Sequence, residues 1–316
     1  MKILFLGNFE AEYSSENYYL KTLRKMGHEV FPMQEGKCNA DALLQILERE
    51  NCELFFWVHT HGWLTPQIKT FLAFCRARGV ITFAYHLDLF LGIRREIQLD
   101  TDPFFEVDHF FTVDKLMAEY LSDKGKCKGH FLPAGVFEDE CFLGTPDRQK
   151  YPHDIIFTGS KGYHPEYSYR PRLIDWLHDT YGDRFGHYGG GGLPTVRGPE
   201  LNNLYASAKI VVGDTLCKNF NYPWYSSDRL FEVAGRGGFL IYPKIHGLET
   251  MYAPADEVVY YDLGNIVSLR QHIDYYLLFP EIRKMAIERA MIRTKSEHTY
   301  THRMQTILKT LKPELA

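Results

Sequence analysis

A chain of 316 residues that is 45% hydrophobic and 24% charged is an ordinary globular sequence, long enough for two domains rather than one. Its formal net charge of -4 gives no global basic field for nucleic acid, and no uninterrupted apolar run nears the roughly 20 residues that span a membrane. The cysteines at 38, 52, 75, 127, 141 and 217 form no C-x-x-C pair, and no signal-peptide pattern precedes the first strand, so reduced thiols and a cytoplasmic location are expected.

Lys2–Gly7 reads as a strand, followed by a loop over 8–13 and a helix from Ser14 or Ser15 in which Tyr19, Leu23 and Met26 recur at helical spacing. Gly27 stops that helix before a strand over 29–33. This βαβ opening lacks the dinucleotide fingerprint G-x-G-x-x-G, because Gly7 is followed by Asn-Phe-Glu-Ala-Glu. A helix over 41–50, a strand over 54–58, a helix over 66–78 and a strand over 80–85 come next. A strand over 110–113, a helix over 114–122 and a strand over 130–132 complete the first half. Such alternation predicts a parallel sheet covered on both faces.

Residues 144–154 are polar and proline-bearing and read as a linker. The pattern then restarts with strand Ile155–Thr158, a loop over 159–169, a helix over 171–181, strand Phe185–Tyr188 and four glycines at 189–192. A helix over 201–207 and a strand over 209–213 lead to a short helix capped by Ser226 or Ser227, stopped by Gly235, Gly237 and Gly238, and a strand over 239–242. A strand over 258–261, helices over 267–278 and 281–292 and an amphipathic helix over 296–311 close the chain. The expected domains are 1–143 and 155–295, with 296–316 a separate terminal helix.

In open α/β sheets ligands sit at the carboxyl ends of strands. That rule selects 8–15, 59–61 and 86–88 in the first half, and 159–169, 188–192, Asp214 and 226–232 in the second. Arg229 and Glu232 share one helix face, so a cation and a carboxylate would meet a sugar nucleotide; a capped surface helix with an Arg–Glu pair accounts for them equally. His86 could bond a sugar hydroxyl, and Asp88 could orient or deprotonate an acceptor; a loop histidine and a turn-capping aspartate are the plain alternative.

Other patterns fall short of a site. His59 and His61 alternate without a third zinc ligand at recognisable spacing, and are expected as hydrogen-bonded loop histidines. His298 and His302 sit four apart on the expected last helix, with Thr299 where a zinc protease has glutamate. Asp100-Thr101-Asp102 has the D-x-D form but falls in an expected loop before Pro103, so no metal site is assigned. The four glycines lack a following Lys-Ser/Thr and imply close backbone approach or flexibility, and no Gly-x-Ser-x-Gly elbow is present.

Taken together, Ile155 to Ser160 with Arg170, Leu204 to Asp214, Ser227 to Glu232 with Gly237 to Leu240, Gly247-Leu248-Glu249 and His298 to Arg303 resemble the spore-maturation, CgeB-like branch of GT4-type glycosyltransferases. The first half is similar more loosely, through Gly7 to Phe9, Gly27 to Val30 and Tyr85 to Asp88, and is also similar to phage-encoded glycosyltransferases. The resemblance implies an α/β GT-B fold, two Rossmann-like domains facing across a cleft, with the donor on the second, the acceptor on the first and the last helix packed back on the first. It implies retaining, metal-independent transfer from a nucleotide diphosphate sugar, UDP-sugar rather than GDP- or ADP-sugar, with no other cofactor.

Carried over by position, Glu232 would bind the donor ribose, Ser227 and Arg229 the diphosphate, Gly159 and Ser160 the phosphates through backbone N–H groups, and Arg170 would add positive charge. Tyr188 and Asp214 would lie near base or sugar, and His86, Asp88 and Arg229 are the catalytic candidates. Trp224 stands where GT4 enzymes often have a second glutamate, which leaves the sugar open; it would stack on a sugar face or belong to the core. The acceptor is equally open among a protein side chain, a small metabolite, a glycan and a modified DNA base. An inactive nucleotide-sugar-binding module and a GT-B-like sugar-nucleotide epimerase are the alternative readings.

Overall fold

The inner strands of the first half, such as Lys2–Gly7 and Leu54–Trp57, are nearly continuous apolar runs, and their burial on both faces explains that composition. A computed structural model describes residues 1–216 and 222–312, so Cys217 lies outside the described residues. By contact the chain divides into one unit of Met1–Pro133 with the segment from Tyr300 onward, and another of Ala134–Thr299.

The first unit holds strands β1 (Lys2–Gly7), β2 (Glu29–Gln34), β3 (Leu54–Trp57), β4 (Ile81–His86), β5 (His109–Thr112) and β6 (Lys128–Phe131). They form one parallel sheet in the order β2-β1-β3-β4-β5-β6. Helices α1 (Ser15–Lys25), α2 (Ala40–Glu50), α3 (Ile68–Arg78), α4 (Gln98–Thr101) and α5 (Lys115–Asp123) accompany them. Phe5, Phe56 and Phe83 stand in register on β1, β3 and β4 and stack at centroid distances of 4.2 and 4.5 Å, a ladder through the sheet's centre. Ser14 caps α1, accepting from Asn17 N at 3.2 Å.

The second unit holds β7 (Ile155–Thr158), β8 (Phe185–Tyr188), β9 (Ile210–Val212), β10 (Leu240–Lys244) and β11 (Val259–Asp262), parallel in the order β11-β10-β9-β7-β8. Its helices are α6 (Tyr169–Tyr181), α7 (Pro199–Ser207), α8 (Arg229–Gly235), α9 (Ile266–Leu278) and α10 (Pro280–Glu297). Residues 134–154 are fastened to this unit: Asn202 Nδ2 on α7 donates to the Glu140 and Phe142 carbonyls at 2.8 and 2.7 Å, and Thr145 N donates to Asn203 at 2.8 Å.

Two expected elements differ. The single helix over 296–311 is broken: α10 ends at Glu297, and α11 (Tyr300–Leu311) begins after His298 and Thr299. His298 is buried, with Nε2 donating to Met251 O at 3.0 Å; its N–H makes the last bond of α10, to Thr294 O at 2.8 Å, but its carbonyl accepts from Val136 N at 3.1 Å, so the helical ladder stops there. His298 and His302 therefore do not share a helix. α11 packs within the first unit, where Tyr300 meets Tyr18 and Tyr19.

The second difference is Asp100, which lies on α4 rather than in a loop, while Asp102 Oδ1 caps the next turn by accepting from Phe104 N at 2.9 Å. Four residues are too few to show a helical period in sequence. The described cysteines are free; burial raises the Cys38 and Cys52 thiols to about 11 and those of Cys75, Cys127 and Cys141 to about 12. Among the described residues no helix is long and apolar enough to cross a membrane.

Candidate active site

Chain order reverses in the second sheet between β7 and β9, and the polar cluster sits at the carboxyl ends of those strands. After Thr158 the chain turns through Gly159 at φ +124°, which an L side chain rarely adopts. Gly159 N donates to Tyr188 O at 2.9 Å, Lys161 N to Gly190 O at 2.8 Å and His187 Nε2 to Gly159 O at 2.7 Å. A Cβ on Gly189 would stand 2.3 Å from Gly159 O. The four glycines thus serve close backbone approach: they let one strand-end loop lie directly on the other.

Arg229, the first residue of α8, lies across this knot. Its Nε donates to Thr158 O at 2.5 Å, its Nη1 is 3.1 Å from Asp228 Oδ1, and a Cβ at Gly159 would meet Nη2 at 2.8 Å. About a quarter of the Arg229 side chain stays exposed. The expected serine cap is not formed: Asp228 occupies the cap position without a side-chain bond, and Ser227 Oγ turns back to Asp214 O and Tyr242 Oη at 3.3 and 3.2 Å. Nor do Arg229 and Glu232 pair. Glu232 Oε1 lies 3.6 Å from Arg236 Nη2, four residues on, and its side chain is about a quarter exposed.

Arg170 and Asp214 form a buried pair, Nε to Oδ2 at 3.0 Å, with Arg170 Nη1 also donating to Ser160 O at 3.4 Å. Burial raises the Asp214 carboxyl, only partly offset by Arg170. Asp214 Oδ1 and Arg170 Nη2 have no hydrogen-bond partner among the described residues. Gly159, Ser160, Arg170, Asp214, Ser227 and Arg229 are therefore linked by direct contacts, with Glu232 one turn along. Tyr188 joins only through its backbone, since its hydroxyl is 2.9 Å from His153 Nδ1, ahead of β7. Trp224 is half-buried at φ +60°, its ring lying where a Cβ on Gly247 would come within 2.3 Å.

Residues 170–309, which carry most of this cluster, match a family described as glycosyl transferase-like. The whole chain is similar in structure to sucrose-phosphate synthase from Thermosynechococcus elongatus, at 11% identity and TM-score 0.64 over 99% of this chain and 100% of that one. It is similar to a Rickettsia africae glycosyltransferase, at 12% identity and TM-score 0.63 over 99% and 98% of the two chains. It is also similar to Anabaena HepE, solved with UDP and glucose, at 11% identity and TM-score 0.65 over 99% and 100%. No curated protein matches the sequence. The fold is that of GT-B glycosyltransferases, and the family match supports a glycosyltransferase.

The first GT-B unit offers its own strand-end residues. His86 ends β4, its Nε2 lies 3.6 Å from Asp88 Oδ2, and Asp88 is 3.2 Å from Arg95 Nη1. Burial would raise the Asp88 carboxyl, but His86 and Arg95 outweigh it and hold it well below the usual carboxylate range. Asp88 is thus an ionised, engaged group suited to orienting His86.

Sequence reading missed Glu35, which is fully buried and accepts from Trp57 Nε1 at 2.8 Å, Thr60 N at 2.6 Å and His59 Nδ1 at 2.6 Å. His59 Nε2 faces Asp102 Oδ2 at 3.4 Å, and Asp100 pairs with Lys126, so the two aspartates of the D-x-D run have separate partners. His61 Nε2 lies 3.1 Å from Gln98, so both loop histidines are hydrogen-bonded. Nothing near Glu35 in sequence marks it; its three donors come from β3 and the loop beyond.

Burial lowers the His59 pKa, but Asp102 and Glu35 outweigh that and push it up to about 9. A folded pKa above the unfolded value of about 6.5 gives stability that is complete below pH 6.5 and lost as pH rises through about 9. Stability should fall between about pH 6.5 and 9, by an amount on the order of 3 kcal/mol, with the melting temperature following, and His59→Gln should flatten that decline. An unchanged decline in the variant would assign the pH dependence elsewhere.

Proposed function

We propose that this chain transfers a sugar from a UDP-sugar, with the donor on the second unit and the acceptor on the first, in a retaining and metal-independent reaction of the CgeB-like type. One observation carries the reading: a partly exposed Arg229 is fixed on the Gly159 turn at the end of β7, with the partly exposed Glu232 carboxylate one helical turn away. In that reading Arg229 faces the diphosphate and stabilises the charge that develops as it leaves. Gly159 and Ser160 admit the phosphates, and Glu232 accepts from the ribose hydroxyls. Arg170, already engaged by Asp214 and Ser160, holds the phosphate turn in place. HepE, solved with UDP and glucose, supports uridine over guanosine or adenosine. His86, oriented by Asp88, bonds a hydroxyl on the acceptor side.

Thermal stabilisation by UDP, GDP and ADP, each with and without sugar, tests this. A ligand at 100 times its Kd stabilises by about 2.7 kcal/mol, and UDP should give the largest shift. Glu232→Ala should weaken nucleotide binding more than His86→Ala. No shift with any nucleoside diphosphate would overturn the reading.

A further inference from the structure

Arg236 is among the largest fully buried side chains of the chain, 2% exposed just past the end of α8. Burying a guanidinium is costly unless every face of it is answered, and a buried ion pair is by itself weak evidence for stability. Its two terminal nitrogens are answered from two segments, the start of α7 and the turn at Glu140. Nη1 donates to Gly198 O and Asn202 Oδ1, both at 2.9 Å, and Nη2 contacts the buried Glu140 carboxylate. Asn202 is itself fixed, because its Nδ2 donates to the Glu140 and Phe142 carbonyls. From this rigid seat Nη2 reaches Glu232 Oε1 at 3.6 Å.

Glu140 pairs with Arg236, so the Glu232 carboxylate stays open to a ligand on its exposed side while its rotamer is held from behind. A glutamate on an exposed helix face would otherwise sample several rotamers, and a pair of vicinal hydroxyls needs both carboxylate oxygens turned toward it. We propose that Arg236, clamped by Glu140 and Asn202, is a positioning residue that makes this site select ribose over deoxyribose. The preferred donors are then ribonucleoside diphosphate sugars, with donors that lack the vicinal ribose hydroxyls bound less tightly. The inference rests on the reading of Glu232 as the ribose ligand.

The test compares the Kd of UDP with that of 2′,3′-dideoxyuridine diphosphate in each protein by calorimetry, so that differences in folding cancel in the ratio. The wild type should prefer UDP by about tenfold or more, the scale of hydrogen bonds to a charged group. Arg236→Met should bring the ratio close to one while leaving the dideoxy ligand's Kd nearly unchanged. Arg236→Lys keeps the charge but not the planar fork and should lose most of the preference, which carries the test if the methionine variant does not fold. A wild type without preference, or a variant weakened equally toward both ligands, would overturn the proposal. Failure of both ligands to bind the wild type would instead overturn the nucleotide-sugar reading.

Discussion

Replacing Arg229 by methionine is expected to lower sugar transfer by a factor of about 10²–10³, the loss produced when one fixed donor to a developing oxyanion is removed. The guanidinium is placed by backbone atoms: Nε is bound to Thr158 O, and Gly159 has no Cβ to displace Nη2. Arg229→Lys should recover little, because one ammonium nitrogen cannot stand in both the Nε position at Thr158 O and the Nη1 position at the Asp228 carboxylate. The rate of UDP-sugar consumption at saturating acceptor, read beside the Kd for UDP, separates lost turnover from lost binding. Equal transfer rates in wild type and Arg229→Met would remove this residue from the chemistry. The side chain is only partly buried, so thermal stability should change far less than turnover.

Why Arg229 was legible in sequence and its supports were not follows from chain distance. Buried parallel strands such as β1, β7 and β9 announce themselves as continuous apolar runs, and the order of elements then marks the strand ends where polar residues gather. Arg229 and Glu232, three apart on one helix, could be paired on paper. In the fold each prefers another partner, Asp228 and Arg236, because Arg229 is drawn across to Thr158 on a neighbouring strand. The clamp on Arg236 comes from Glu140, 96 residues away, and no local pattern encodes such a contact. The four glycines left close approach and flexibility open and said nothing of what is approached, which for Gly189, Gly190 and Gly191 is Gly159, Ser160 and Lys161. Glu35 carried no signal at all, since its burial depends on Trp57, His59 and Thr60 folding over it.

Asp214→Asn is expected to lower stability by about 3–5 kcal/mol, the cost of leaving a buried cation without its counter-charge. Arg170 is 4% exposed and Asp214 1%, so solvent cannot screen the charge that remains. For a domain of this size that loss corresponds to a fall in melting temperature on the order of 10 °C. The paired replacement Asp214→Leu with Arg170→Met removes both charges and should restore most of the stability, because apolar side chains of similar volume substitute well for a buried ion pair. Restored folding should not restore function. Arg170 Nη1 also holds Ser160 O, and without it the turn that carries Gly159 loses its brace beside Arg229. Thermal melts and UDP affinity measured on the single and double variants separate the two effects. A double variant that melts like wild type but binds UDP weakly would show that the pair is kept for the site. One that recovers both would make it a replaceable piece of core.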